Sequence, residues 1–381
     1  MRISCTVLDV NRHSYQPGKG VFFVIFHLPL EILCYICIML ATENTCQNNR
    51  EVILVSVVLC TYNGAKYLRD QLDSLIAQSY PLHEIIIQDD GSTDNTLQIA
   101  TEYADRHKMI HLYSNTREHG INNNFFSAFQ KATGEYIAVC DQDDIWEPDK
   151  IACQIEAITQ TDKLLCFCHS KPFSDDGSFF HYDGRMPSFN LYRLLFNNEI
   201  PGHTILMHCS LLDKLPRHED CPVMYQKRMY DIIIALTAAA YDSIAFVDKI
   251  LVHYRRYQSA ATYSSYSGSL PTASNAFHIL IWSIRHYSEM KALTTDRYSV
   301  QMDFLSHLQQ PASICHGGIE MMNLMISKRF GDLLKLTGMC LRHRFEIFHT
   351  RGKDPENIVR ALLFPFTSLY YCRFLLNRSD K

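Results

Sequence analysis

Four times between residues 52 and 159, a short apolar run rich in β-branched residues gives way to a polar turn. Each turn is followed by a segment with apolar residues at helical spacing. The runs are Val52–Cys60, Glu84–Gln88, Ile110–Tyr113 and Glu135–Cys140. The helical segments are Ala65–Gln78, a stretch capped by Ser92 or Thr93 and ending near Ala104, Asn122–Ala132, and one from Pro148 to about Thr159. A fifth run, Leu164–Cys168, follows. Runs this short and apolar on both faces fit strands buried inside a parallel sheet, so the alternation predicts an α/β domain. In such a sheet ligands bind beyond the carboxyl ends of the strands. Three turns stand there: Thr61-Tyr62-Asn63-Gly64, Asp89-Asp90-Gly91-Ser92 and Asp141-Gln142-Asp143-Asp144. They should face one crevice.

Several classes are excluded at once. No G-x-G-x-x-G follows a strand and no G-x-x-x-x-G-K-[ST] occurs, so neither a dinucleotide fingerprint nor a P-loop is present. A nucleotidyltransferase on a similar core would want a Gly-rich basic loop after the first strand, and TYNGAKY is not one. With 381 residues, 47% hydrophobic and 20% charged, the chain is neither disordered nor low in complexity. A net charge of −4 offers no global basic surface for nucleic acid. Fourteen cysteines, many inside apolar runs, read as buried thiols in a reducing compartment. Cys166 and Cys168 with His169 could form half a metal site, but no second pair completes it.

Acidic turns without a lysine cradle handle a phosphate through a hard cation, Mg²⁺ or Mn²⁺. Asp141 and Asp143 stand two residues apart and can converge on one ion in a turn. The plainer reading is an acidic helix start favoured by the helix dipole.

At this point the blocks SVVLCTYNGAKYLRDQLDSLIAQSY, IIIQDDGSTDNT and GEYIAVCDQDDIWEPDK become recognisable. Together they resemble the nucleotide-binding half of family 2 glycosyltransferases, nearest the bacterial rhamnosyltransferase-like branch. The resemblance runs from about Ile53 to Gln258. It implies a GT-A fold, a nucleoside-diphosphate sugar donor, a divalent cation and inversion at the anomeric carbon. Thr61, Tyr62 and Asn63 match the turn against the donor base, with Tyr62 offering a ring to stack on. Asp90 matches the acceptor for the pyrimidine imide N–H. Asp141 matches the acid near ribose and metal, and Asp143 the principal metal ligand. Asp89 and Asp144 read equally well as turn acids.

The same resemblance places Gly202, His203 and Thr204 on the acceptor side and makes Asp231 the general base. Tyr230 stands where relatives carry an acid or His. The bland reading of Asp231 is an N-cap for the helix that follows. Tyr257 stands where the branch usually has a His close to the diphosphate, which leaves Arg255 or Arg256 as replacements. The implied activity is an inverting hexosyl- or rhamnosyltransferase of bacterial surface polysaccharide (capsule, O-antigen), acting on a glycan or lipid-linked glycan. The alternative is a non-catalytic nucleotide-sugar-binding protein with a degenerate acceptor site, which needs the first three motifs but no base.

The sequence divides into an extension and linker (1–51), the glycosyltransferase-like part (52–258) and a helical, basic region (259–381). Residues 21–41 are apolar and long enough to span a bilayer, yet His27, Pro29 and Glu31 lie near their middle. The extension is therefore open between a membrane anchor, a signal and a mis-assigned start with Met39 as the first residue. From Lys328 onward, eleven Lys and Arg face five Asp and Glu, a net of +6. The apolar stretch there is short and Pro365 is expected to interrupt it. A basic amphipathic end predicts a peripheral protein on the cytoplasmic face of the inner membrane.

Overall fold

The computed structural model describes residues 52–257, apart from 117, 179, 181, 183 and 185, together with 273–348, 354–370 and 372–373. The expectations for residues 1–51 lie outside the described residues. Residues 53–381 form one compact unit.

In chain order the strands are β1 (Val55–Thr61), β2 (Glu84–Asp89), β3 (Ile110–Ser114), β4 (Tyr136–Cys140), β5 (Ile145–Trp146), β6 (Leu165–Phe173), β7 (Leu206–His208) and β8 (Ile244–Arg255). The helices of the α/β part are α1 (Leu68–Ile76), α2 (Thr96–Arg106), α3 (Ile121–Phe129), α4 (Lys150–Thr161), α5 (Leu191–Leu194), α6 (Ser210–Asp213), α7 (Pro222–Lys227) and α8 (Tyr230–Ala240). A 3₁₀ turn, Gly202–Thr204, lies between α5 and β7. The strands make one sheet in the order β3-β2-β1-β4-β7-β6-β8-β5. β1 pairs in parallel with β2 and β4, β2 with β3, and β6 with β8; β7 runs antiparallel between β4 and β6, and β5 antiparallel to β8. A mostly parallel sheet flanked by helices is the GT-A arrangement expected.

The period-2 alternation of strand side chains explains the two cores. Val55, Val57 and Leu59 of β1 join Ile85 and Ile87 of β2 under α1, α2 and α4, through Leu68, Leu72, Ile99 and Ile151. Val58 and Ile86 point the other way, against Phe125 and Phe129 of α3 and the apolar face of α8. That second core continues into the helical region: α9 (Ala273–Arg285), α10 (Tyr287–Ser306), α11 (Ser313–Ile326), α12 (Phe330–Arg342), α13 (Arg344–Ile347) and α14 (Asp354–Thr367). Tyr298, Phe304 and Met321 are buried in the same cluster as Leu191 and Ile233.

Local details correct the sequence reading. Helix α2 starts at Thr96, because Ser92 is drawn into the turn by Asp89 and the Asp94 carboxylate takes the Thr96 amide (3.0 Å). Helix α4 starts at Lys150, two residues after Pro148. Helix α14 runs through Pro365 and ends two residues later. A proline that close to a helix end forfeits one backbone bond without breaking the preceding turns. Among the described residues no helix is long and apolar enough to cross a membrane.

Candidate active site

A cleft of about 1360 Å³ opens at the carboxyl ends of β1, β2 and β4. That exceeds the roughly 300–1,000 Å³ of ordinary small-molecule sites, leaving room for two substrates. Thr61, Tyr62, Asn63, Asp90, Asp141, Asp143, Gly202, His203 and Asp231 all line it. Thr204 does not; it is buried, its hydroxyl donating to the Pro201 carbonyl (2.7 Å).

The first turn is shaped by its neighbours. Asn63 adopts φ 48°, a left-handed conformation that asparagine tolerates, and its Oδ1 accepts the Thr93 amide (2.8 Å). Gly64 leaves room for Gln142, whose Oε1 would lie 2.2 Å from any added Cβ. Gln142 clamps the turn, accepting from the Tyr62 amide (2.9 Å) and donating to the Tyr62 carbonyl (3.1 Å). The Tyr62 ring is left 57% exposed. Thr61 is buried, its hydroxyl donating to Asp89 (2.8 Å), so its contribution is to the turn. Asp89 also accepts the Gly91 and Ser92 amides and is a turn acid. Asp90 ties down the next loop: Asn115 Nδ2 (2.7 Å) and His119 Nδ1 (3.1 Å) meet Oδ1, and the Gly120 amide meets Oδ2 (2.8 Å). A carboxylate has about four acceptor positions, and the described residues fill three of them.

The acidic turn gathers more groups than its spacing suggested. His203 Nδ1 lies 3.5 Å from Asp141 and 3.6 Å from Asp144. Burial disfavours the imidazolium, yet Asp144 and Asp141 outweigh it and raise the His203 pKa. Burial pushes the Asp144 carboxyl up, against the pull of His203. It pushes Asp143 up too, with Asp141 adding to it. Ligand atoms of Asp141, Asp144 and His203 lie within 4.8 Å of one another. Asp144 Oδ2 and His203 Nε2 are buried without a hydrogen-bond partner among the described residues. Carboxylate oxygens brought together, one of them an orphaned acceptor, fit a divalent cation. The sequence had left Asp144 as a turn acid and His203 on the acceptor side; a His inside a Gly-x-Thr turn carried no signal of this proximity.

The end of β8 holds that turn in place. The Arg255 side chain is nearly buried between the rings of Tyr67 and Phe173, 4.4 and 4.6 Å from its guanidinium carbon. Its amide donates to Asp144 Oδ1 (3.1 Å), its Nε to the Asp143 carbonyl (3.0 Å), and it pairs with Asp70 (2.9 Å) and Asp175. So engaged, Arg255 is a pillar under the acids, and it also lines the cleft. Arg256 lines the cleft. The Tyr257 hydroxyl donates to Asp143 Oδ2 (2.5 Å). Lys150 is wholly buried, its Nζ 3.5 Å over the Trp146 ring and without a hydrogen-bond partner among the described residues; burial lowers its pKa to about 8.

Across the cleft stands Asp231, the second residue of α8. The helix cap itself is Met229. Asp231 Oδ1 accepts its neighbour Ile232's amide (2.8 Å) and Oδ2 accepts Asn198 Nδ2 (3.1 Å). Burial raises its pKa to about 6; the Ile232 N–H opposes this and Asp141 adds to it. Asn122 fixes the helix start, accepting the Tyr230 amide (2.8 Å) while donating to the Tyr225 (2.7 Å) and Arg228 (2.5 Å) carbonyls. The Tyr230 ring stacks on Phe125 at 3.9 Å, and any Cβ on residue 202 would meet its hydroxyl at 2.1 Å. Gly202 and Tyr230 thus fit each other. Asn122 and Asn198 escaped the sequence reading because neighbouring asparagines in a helical or loop stretch do not show which of them makes a distant contact.

Residues 56–216 match the family described as glycosyl transferase family 2. The chain carries a family 2 glycosyltransferase domain. Relatives of this domain include uncharacterized protein Rv1520 of Mycobacterium tuberculosis, 28% identical over 56% of this chain and 62% of its own. An uncharacterized glycosyltransferase of Rickettsia typhi, RT0329, is 28% identical over 55% and 66%. A Bacillus subtilis glycosyltransferase provisionally named for teichuronic acid biosynthesis, TuaG, is 34% identical over 33% and 50%. The chain therefore spans less than two thirds of the length of these relatives. Staphylococcus aureus TarS 1–349 in complex with UDP is similar at 14% identity over 86% of this chain and 92% of that one, TM-score 0.48. The mannosyltransferase PcManGT of Pyrobaculum calidifontis, in complex with GDP-Man and Mn²⁺, gives 16%, 83%, 85% and 0.45. These last two likenesses are too loose to carry a residue across.

Proposed function

We propose that this glycosyltransferase moves a hexosyl or rhamnosyl unit, with inversion, from a nucleoside-diphosphate sugar to a glycan or lipid-linked glycan of a bacterial surface polysaccharide. The observation that carries the reading is Asp231: a carboxylate at the cleft wall, facing the acidic turn and held by two hydrogen bonds. In the reaction it accepts the proton of the acceptor hydroxyl. That oxygen bonds to the anomeric carbon as the bond to the diphosphate oxygen breaks, and the nucleoside diphosphate leaves with the electron pair. Tyr62 presents its exposed ring to the base and Asp90 its carboxylate. Asp141 and Asp143, joined by Asp144 and His203, would hold Mg²⁺ or Mn²⁺. When bound, the cation supplies positive charge for the diphosphate as negative charge builds there.

A base works only when ionised. With a pKa of about 6 for Asp231, kcat should be level above pH 7 and fall about tenfold per unit below 6. A profile flat down to pH 4.5 would remove Asp231 from the role. The test of the whole reading is nucleotide release across a panel of sugar nucleotides, with and without acceptor glycans.

The same reading sets the protein against the cytoplasmic face of a membrane. Phe330 and Leu334 of α12 are 74% and 59% exposed, and Lys328, Arg329 and Lys335 are exposed beside them in sequence. Vesicles containing phosphatidylglycerol should bind the full chain, and zwitterionic vesicles should not. Each basic residue near such a surface contributes about 1 kcal/mol, so replacing these three with Gln should weaken co-sedimentation roughly 100-fold. Unchanged co-sedimentation would place any membrane contact elsewhere.

A further inference from the structure

We infer that Tyr257 is a positioning residue which confines Asp143 to a single ligating oxygen, and so sets both the strength and the size preference of the cation site. The inference rests on the reading of Asp143 as a cation ligand. Asp143 is held at two points by the end of β8. Arg255 fixes its carbonyl (3.0 Å), and the Tyr257 hydroxyl takes Oδ2 (2.5 Å). The clamp is itself braced. The Tyr257 ring packs against Tyr67 with centroids 5.0 Å apart, and Tyr67 lies under the Arg255 guanidinium. No side chain donates to Asp143 Oδ1 among the described residues, so this oxygen is the one left for a cation.

Asp143 then binds through one oxygen. Ca²⁺ accepts six to eight oxygens at about 2.3–2.6 Å and welcomes a bidentate carboxylate, whereas Mg²⁺ holds to octahedral geometry at about 2.0–2.1 Å. A carboxylate locked to monodentate binding therefore favours the smaller ion. A hydrogen bond on the outer oxygen also fixes the inner one in place, and loss of such partners typically costs about 10–100-fold in metal affinity. Removing the Tyr257 hydroxyl should weaken the small cations and relax the discrimination against Ca²⁺ together.

The experiment compares the full chain with Tyr257→Phe and Asp143→Ala. Mn²⁺ affinity is measured by electron paramagnetic resonance titration, Ca²⁺ by competition, and melting temperature on the same samples. Phe keeps the ring on Tyr67 and removes a single oxygen. The expected result is a Mn²⁺ Kd raised about 10–100-fold, a Ca²⁺ Kd changed by much less, and an unchanged melting temperature. A Mn²⁺ Kd within twofold of the parent, with binding lost in Asp143→Ala, overturns the inference and leaves the cation site standing. Equal weakening of both ions with a lowered melting temperature also overturns it, since that is what a packing role would give. Mn²⁺ binding unchanged in Asp143→Ala would instead bring down the site on which the inference rests.

Discussion

Asp231→Asn is expected to cut turnover by about 10²–10⁴, the range usual for loss of a general base, while donor and cation affinities stay at parental values. The separation follows from the layout. Tyr62, Asp90, Asp141 and Asp143 all belong to the turns after β1, β2 and β4, whereas Asp231 heads α8 on the far wall of the cleft. Asn keeps the size and one of the two hydrogen bonds, to Ile232 or Asn198, but cannot take up a proton. The stability change has a definite sign. A carboxyl whose folded pKa is about 6, raised from an ordinary 3.8, binds its proton more tightly in the folded chain. Its ionisation therefore costs stability as pH rises through that window, and the full cost is present above it. Neutral Asn escapes that cost, so the melting temperature at pH 8 should not fall. Near-normal turnover would end the case for Asp231. A lower melting temperature together with lost donor affinity would make the residue structural.

Asp143→Ala should remove cation-dependent donor binding, by more than about 100-fold, which exceeds the effect expected of a residue outside the ligand shell. The carboxylates of this acidic turn repel a diphosphate unless a cation lies between them. Calorimetry with a nucleoside diphosphate, in the presence of Mn²⁺ and of a chelator, reads this directly. Equal affinity in the two conditions for the parent chain would mean that the acids do not meet the phosphates through a metal.

How far the sequence could be read depended on whether a feature was periodic. The strands β1 to β4 and their helices were legible because alternation and helical spacing repeat over many residues, and the turns between them inherited their place from the strands. The acids at 90, 141, 143 and 231 could be singled out because they stood in blocks or directly before a helix. What escaped was contact between segments distant in sequence. His203 meets Asp144 across 59 positions, and Arg255 meets Asp70 across 185. Such pairs are made by the sheet order, where β7 lies beside β4 and β8 lies between β6 and β5, and no local pattern announces them. Helix starts were misplaced by a few residues for a related reason. At Ser92 and Asp94 several polar side chains compete for the same amides, and only the turn's geometry decides which one caps.

The three hydrogen bonds of Asn122 have a consequence for anyone recombining these sequences. Its one side chain joins the start of α3, in the part proposed to hold the nucleotide, to the start of α8 and the two carbonyls before it, in the part proposed to hold the acceptor. The halves are therefore not interchangeable modules, although each has its own motifs. A chimera that imports residues 190–257 from a relative, to alter what accepts the sugar, inherits a seam at position 122. If the imported loop does not present two carbonyls and an amide to that Asn, these groups lose their partners together, at about 1–3 kcal/mol for each one left buried. The loss would fall where the carboxylate of Asp231 is aimed. Failure of such a graft would then say nothing about the specificity of the imported part, and position 122 and the 225–230 segment have to be exchanged as one piece.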